Sequence, residues 1–126
     1  MSEEKRVGSG VRTHKDLEVW KRAMALARGI YELTKGFPKE EVYGLVAQMR
    51  RAAVSVPSNI AEGAARNSNK EIIQYLYVSL GSLAELDTQV VLARDLGYKH
   101  DEDIAGGIEE VRRLVLGLIK YVKSKE

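Results

Sequence analysis

The sequence predicts an all-α protein, an antiparallel up-down-up-down four-helix bundle. Apolar residues recur at three- and four-residue spacing along four long segments, which is the signature of helices with one buried face. No segment shows the strict alternation of a half-buried strand over a useful length. The connections between the segments are short, so successive helices are expected to pack side by side in opposite directions.

The first predicted helix spans about 16–35 and follows an aperiodic N-terminal segment. Residues 1–13 contain two glycines and no large aromatic residue, so we expect a flexible N-terminal arm followed by a bundle domain at 14–126. Gly36 stands where helices commonly end, and Pro38 forces the chain into a turn.

The second predicted helix runs from about 39 to 66 and contains a proline. Glu40 and Glu41 occupy its first turn, where the helix dipole favours carboxylates. Pro57 falls inside the helix, where it removes one backbone hydrogen bond and crowds the carbonyl of Ala53. The apolar pattern continues in phase across the proline, so we expect a kink at Pro57 rather than two separate helices.

The third and fourth predicted helices span about 69–96 and 101–123. Ser68 followed by Glu71 has the form of a capping box, and Gly97 ends the third helix. The fourth helix begins with three acidic residues and ends with lysines, an order that complements the helix dipole at both ends.

Composition restricts the class of function. Lys and Arg number 20 and Asp and Glu number 18, so the formal net charge is +2, well short of a dedicated nucleic-acid binder. The chain has no cysteine, which excludes disulfides, thiol catalysis and zinc thiolate sites. No apolar stretch approaches the ~18 residues of a membrane span, and residues 1–16 are too polar for a signal peptide. We therefore expect a cytoplasmic protein.

Neither histidine is placed for metal binding or catalysis. His14 belongs to the N-terminal segment and His100 to the loop between the third and fourth helices, and neither has a second ligand at the spacing of a bundle metal site. No phosphate-binding loop, nucleophile elbow or dinucleotide fingerprint occurs. We expect no metal, no cofactor and no enzymatic activity.

Residues 44–63 of the second helix form the most informative segment. Only three of these twenty positions carry charge. A helix that is apolar or small on most sides is normally buried by more than its own domain. On a helical wheel, a stripe of polar residues separates the core face from a flank of small residues.

The polar stripe predicts a structural network between the second and third helices. Its members are Gln48, Arg51, Ser55, Asn59 and Glu62, with Ser82 and Glu85 of the third helix. Within it we expect Arg51 to pair with Glu85, while Gly81 allows the two backbones to approach closely. The alternative is a ligand or catalytic pocket built from the same residues.

The flank of small residues predicts a contact with a second copy of the chain. Burying a charge in such a contact would be costly, and this flank carries no charge. The predicted oligomer interface consists of Ala47, Val54, Ser58, Ala61 and Ala65.

Basic residues cluster on the first and fourth helices. They are Lys21, Arg22, Arg28, Arg112, Arg113, Lys120, Lys123 and Lys125. One interpretation is a surface that contacts phosphates and is repeated around an assembly. The other is an ordinary solvated face that complements the helix dipole.

A long central motif carries a family resemblance. Its parts are Phe37-Pro38, Tyr43-Gly44-Leu45, Gln48-x-x-Arg51-Ala52-Ala53-x-Ser55-Val56-Pro57-Ser58-Asn59-Ile60-Ala61-Glu62-Gly63, and Gly81-Ser82-Leu83-x-Glu85-Leu86. The chain resembles the four-helix-bundle proteins of the 23S rRNA intervening-sequence family. This resemblance implies a bacterial protein that assembles into a ring-like homopentamer. It also implies a relation to the accessory proteins of diversity-generating retroelements, which are strongly basic and bind nucleic acid, whereas this chain is near neutral.

Two functional hypotheses follow. The first is a non-enzymatic, homo-oligomeric bundle, pentameric by resemblance, that binds RNA or a ribonucleoprotein partner through a repeated basic face. The second is a structural or protein-interaction module, such as a scaffold for a partner protein, with no role for nucleic acid.

Overall fold

A computed structural model of the protein describes residues 13–125. Over these residues the chain forms four α-helices and no strand, which confirms the all-α class. The helices are α1 (Glu18–Thr34), α2 (Leu45–Ala64), α3 (Asn69–Asp95) and α4 (Glu102–Lys123). Short 3₁₀ turns at His14–Asp16 and Lys39–Glu41 precede α1 and α2. Within the described part of the chain, no helix is both long enough and apolar enough to cross a membrane.

The start of α2 differs most from the sequence-based expectation. The helix begins at Leu45 rather than near residue 39, because residues 39–41 form a separate 3₁₀ turn. The sequence predicts Glu40 and Glu41 in the first turn of α2, but both residues lie before the helix begins. The helix continues through Pro57, and the kink expected there stays a prediction.

The expected N-terminal arm, residues 1–13, lies outside the described residues except for Thr13. The Thr13 hydroxyl accepts a hydrogen bond of 3.0 Å from the backbone N–H of Lys15. Thr13 thereby caps the 3₁₀ turn before α1.

The four helices surround one core. Each of α1 and α3 packs against both α2 and α4. Ser79 of α3 donates a hydrogen bond to the carbonyl of Val56, and Ser82, farther along α3, bonds to Ser55, which lies earlier in α2. Residue numbers thus run in opposite directions across this helix pair, which supports the expected up-down-up-down order. The most deeply buried large side chains are Ile30, Met49, Ile60, Leu76, Leu83 and Leu86.

Helix glycines differ in how closely they approach a neighbour. A Cβ atom on Gly63 would lie 3.0 Å from Cβ of Tyr75 and 3.3 Å from the carbonyl oxygen of Ile72, so α2 and α3 are in close contact there. A Cβ on Gly81 would have no neighbour within 4 Å. The close approach expected at Gly81 is therefore wrong, because this position faces outward from the bundle.

A hydrogen-bonded clamp joins the loop before α2 to the loop after α3. The Glu41 carboxylate accepts a hydrogen bond of 3.0 Å from the Leu45 backbone N–H and one of 2.7 Å from the Tyr98 hydroxyl. Gly44, the N-cap residue of α2, has no side chain to satisfy that N–H, so Glu41 does so instead. The bond from Leu45, and then the bond from Tyr98, hold the pKa of Glu41 below its usual value.

Glu41→Ala is expected to lower the free energy of unfolding at about pH 7, because the clamp loses its acceptor. Since folding lowers the Glu41 pKa, its stabilisation is complete above the usual glutamate pKa and is lost as the pH falls through the folded value. The difference between the variant and the wild type should therefore shrink by about pH 3. Urea denaturation at the two pH values measures this difference. Glu40→Ala, which changes an exposed neighbour, is the control, and an equal loss at both pH values would contradict the assignment.

Candidate self-association surface

The outer face of α2 borders an open groove with α1. On the inner side of α2, Met49, Val56 and Ile60 are buried in the core, whereas Val54 on the outer side is 41% exposed. The groove, which we call the α1–α2 groove, has a volume of about 670 Å³. Its apolar wall consists of Trp20, Met24, Ala27, Tyr31, Val54, Pro57 and Ala61.

A second groove continues across α2 toward α3. This α2–α3 groove has a volume of about 720 Å³ and shares Tyr31 and Val54 with the α1–α2 groove. The two grooves therefore form one concave surface over the outer face of α2. The polar lining of the second groove consists of Arg50, Arg51, Ser55, Ser82 and Glu85.

Arg50 fixes the wall between the two grooves. Its guanidinium lies over the Tyr31 ring, with 4.5 Å from Cζ to the ring centroid. Its Nε donates a hydrogen bond of 2.9 Å to Oγ1 of Thr34, whose own hydroxyl donates to the Ile30 carbonyl. Arg50 is not among the residues predicted to form a site, although a charge within such an apolar helix is a signal that it has a partner.

Three members of the expected polar network bond to one another. The Ser82 hydroxyl donates a hydrogen bond of 2.8 Å to the Ser55 hydroxyl. The Asn59 amide donates to the carbonyl and the hydroxyl of Ser55, at 2.8 and 3.0 Å. Ser55 therefore links the second and third helices at the floor of the α2–α3 groove.

The other four members of that network do not join it. Arg51 and Glu85 line the same groove but form no ion pair, so the pairing expected from the sequence is wrong. Glu85 instead accepts a hydrogen bond of 3.4 Å from Gln89, and Arg51 makes no hydrogen bond or ion pair with any described residue. Glu62 lies 3.8 Å from Arg66 on its own helix, and the exposed Gln48 side chain has no partner among residues 13–125.

The concave surface brings together four of the five residues expected at an oligomer interface. Ala47 and Val54 line the α2–α3 groove, while Val54, Ser58 and Ala61 line the α1–α2 groove. Ala65 is exposed beyond both grooves, at the end of α2. The geometry places these residues where a second molecule can reach them, and their role as an interface stays a prediction.

Three of the expected phosphate-contacting arginines already face carboxylates. Arg22 bonds to Glu18 at 2.8 Å and to Glu110, and these bonds raise its pKa, with Glu18 as the largest cause. Arg112 donates to Glu109 at 2.7 and 2.9 Å, which holds the pKa of Glu109 below its usual value. The third, Arg113, lies 3.8 Å from the same carboxylate.

Two of the expected lysines lie beside tyrosines. Nζ of Lys123 is 5.7 Å from the Tyr77 ring centroid, and Nζ of Lys125 is 5.0 Å from the Tyr121 centroid. Neither these lysines nor Lys120 forms an ion pair with a described residue. Lys123 also donates a hydrogen bond of 3.4 Å to the Tyr77 hydroxyl. The end of α4 and the residues just after it therefore combine lysines that face no described carboxylate with partly exposed aromatic rings.

Charge is divided unevenly along the bundle. The starts of α1 and α3 and the ends of α2 and α4 lie in one half, residues 13–24, 55–82 and 113–125, which carries nine Lys or Arg and four Asp or Glu. We call this the basic half. The acidic half, residues 25–54 and 83–112, carries eight Lys or Arg and eleven Asp or Glu.

The histidines have structural contacts rather than metal partners. The His14 ring packs edge-on against the Trp20 ring, with 5.2 Å between their centroids, and His100 lies 3.0 Å from a carboxylate oxygen of Glu102. Among residues 13–125, no group of three His, Asp or Glu side chains could hold a metal ion.

The family model of the 23S rRNA-intervening sequence protein matches residues 15–120, which include α1, α2, α3 and most of α4. The chain belongs to this family. A comparison with curated proteins found no match. The resemblance carried by the central motif is thus confirmed at the level of the family, while the relation to retroelement accessory proteins stays a prediction.

Both grooves of this member of the 23S rRNA-intervening sequence family lie within the residues that the family model matches. The matched residues contain every residue that lines the concave surface. They also contain the Glu41–Tyr98 clamp, but they contain neither Lys123, the last residue of α4, nor Lys125, which follows the helix.

Proposed function

We propose that this family member is a non-enzymatic protein whose copies assemble through the outer face of α2. The observation that carries the proposal is the concave surface formed by the two grooves. It is mainly apolar over α1 and α2, and it contains Arg51, which has no hydrogen-bond or ion-pair partner among residues 13–125. Removing apolar surface from water lowers the free energy of the assembly. Specific interfaces bury about 800 Å² on each partner.

The proposed assembly is the closed ring of five copies that the family resemblance implies. A ring requires each copy to use two different surfaces, one of which fits the other surface on the next copy. The concave surface of α2 is one of them. The unequal charge of the two halves supports such an arrangement, because a basic half can face the acidic half of a neighbour.

The polar groups of the α2–α3 groove support a structural role over a catalytic one. Ser55 accepts hydrogen bonds from Ser82 and from Asn59, and no histidine or carboxylate bonds to either serine hydroxyl among the described residues. A serine nucleophile needs an adjacent base within hydrogen-bond reach. We therefore assign this network to helix register.

Ala47→Glu and Ala61→Glu are each expected to convert the assembly to monomers, because each places a long, charged side chain in a groove that a second copy has to enter. Taking a carboxylate out of water at the interface costs several kcal/mol of association free energy. The mass in solution, measured by light scattering, tests this, with circular dichroism to verify that each variant is folded. Ala25→Glu is the matched control, because Ala25 is exposed on α1 and lines neither groove. Wild-type mass for both groove variants would contradict the proposal.

RNA binding through the basic half is a second candidate function. The observation that favours it is the end of α4, where lysines without an ion pair to a described residue lie beside Tyr77 and Tyr121. Lysines there can contact phosphates, and the tyrosine rings offer faces on which unpaired bases stack. Repetition around a ring would multiply these contacts.

Replacing Lys120, Lys123 and Lys125 together with glutamine is expected to weaken binding to structured RNA at least about tenfold and to reduce its salt dependence by about two counterions. Fluorescence anisotropy at several salt concentrations measures both quantities. The control replaces Lys35, Lys39 and Lys99 of the acidic half, which removes the same charge. Equal weakening by both triple variants would show attraction by net charge alone. Recovery of a protein partner that survives nuclease treatment, with no RNA binding, would favour the scaffold function instead.

A further inference from the structure

The Tyr43 side chain projects from the bundle and makes no hydrogen bond or ring contact with any residue in the described range 13–125. Tyr43 is 97% exposed, and its neighbour Val42 is also exposed. Tyrosine is among the residues that most often anchor protein interfaces, since it buries a large apolar area and keeps a polar tip. Because it is exposed to this degree, Tyr43 does not occupy the groove of its own protomer.

The loop that carries Tyr43 is held in place. The Glu41 carboxylate binds both the Leu45 N–H and the Tyr98 hydroxyl, on either side of the loop. The backbone N–H groups of Val42 and Gly44 donate to the carbonyls of Lys39 and Glu41. A rigid loop loses little conformational entropy when it docks, which favours its use as an anchor.

The α1–α2 groove fits an aromatic anchor with an acidic flank. Its volume of about 670 Å³ exceeds one side chain, so Val42 can follow Tyr43 into it. Arg28 and Ser58 line the same groove and could bond the phenol oxygen. Arg28 is exposed and has no ion pair with a described residue, whereas Glu40 stands three residues before Tyr43.

Charge complementarity extends this match beyond the groove. Tyr43 belongs to the acidic half. The groove spans both halves, because Trp20, Met24, Pro57 and Ala61 lie in the basic half, whereas Arg28 and Glu32 lie in the acidic half, where Glu32 is paired with Lys35. Two copies that bring Tyr43 to the basic end of the groove place opposite net charges side by side, which steers association and disfavours the reversed orientation. The occupant that the groove matches best is therefore a second copy of this chain.

We infer that Tyr43 of one copy inserts into the α1–α2 groove of the next copy and anchors a head-to-tail contact. This inference rests on the proposed function and adds the residue that fills the groove. The contact is heterologous, so it closes into a ring or extends as a filament, and each copy contributes one anchor and one groove.

Tyr43→Ala is expected to weaken self-association at least about 30-fold, the loss typical of a hot-spot residue. Tyr43→Phe should stay within a few-fold of the wild type, because it keeps the apolar ring. Leu92→Ala, which truncates another exposed apolar side chain, should not change association. Sedimentation of each variant over a dilution series gives these values, and circular dichroism shows whether each variant is folded.

Mixing two defective variants tests the head-to-tail geometry. Tyr43→Ala keeps an intact groove and Ala61→Glu keeps an intact anchor, so each is expected to be monomeric alone and to form a one-to-one complex when mixed. A complex of two chains that grows no further supports the inference. Failure of the mixture to form any complex, while the wild type assembles, overturns it.

The outcomes separate this inference from the proposed function. If Tyr43→Ala keeps the wild-type mass on dilution while Ala61→Glu is monomeric, the groove is an interface and Tyr43 is not its anchor. If the wild type itself is monomeric at every concentration, both proposals fail.

Discussion

Gly63→Val is expected to lower the free energy of unfolding by about 3 kcal/mol, since extra methyl groups in a closely packed contact cause strain of this size. The added Cβ alone would lie 3.0 Å from Tyr75 Cβ and 3.3 Å from the backbone oxygen of Ile72. Both atoms are fixed by the backbone of α3, because rotating the Tyr75 side chain does not move its Cβ, so neither contact can relax without separating the two helices. Valine also loses rotamer freedom in a helix.

Gly81→Ala is the matched control, and it should raise the free energy of unfolding rather than lower it. A Cβ at this position meets nothing within 4 Å, so only the gain in helix propensity remains. That gain is about 0.5–1 kcal/mol for Gly to Ala in a helix interior. Urea denaturation of both variants at one protein concentration measures the difference. A Gly63→Val variant as stable as the wild type would show that α2 and α3 are not in close contact.

Leu86→Ala is expected to cost about 2–5 kcal/mol, the usual range for a buried leucine truncated to alanine. Leu86 is 0% exposed, and α3, which carries it, packs against both α2 and α4. The cavity left in the centre of the bundle cannot close without moving a helix.

Leu92→Ala provides the comparison on the same helix. Leu92 is 47% exposed, so its truncation should change the free energy of unfolding by no more than about 0.5 kcal/mol. Both variants should be compared at the same protein concentration, because association stabilises the folded state by mass action. Equal losses for Leu86 and Leu92 would contradict the assigned core.

The helices could be predicted from the sequence because burial on one face imposes a period that the sequence displays. The start of α2 could not be predicted in this way, since the residues before it make a contact with a residue distant in the sequence. Glu41 looks like a first-turn carboxylate in the sequence, and only the folded chain brings it to the hydroxyl of Tyr98.

The candidate surface could be predicted only in part, because it too depends on distances between helices. A helical wheel orders side chains around one helix, so it grouped Val54, Ser58 and Ala61 correctly on one flank. It carries no distance between helices, and so it paired Arg51 with Glu85, which the structure leaves apart. Exposure of Tyr43 also depends on the whole fold, and no local pattern in the sequence marks it.

The mass of the wild-type protein in solution tests the central claim most directly. Analytical ultracentrifugation over a range of concentrations should give a species well above the 14.0 kDa of one chain, about 70 kDa for the proposed ring of five copies. Another multiple of the chain mass would change the copy number and keep the self-association. A mass of 14.0 kDa at every concentration would contradict the claim that the outer face of α2 is an interface between copies.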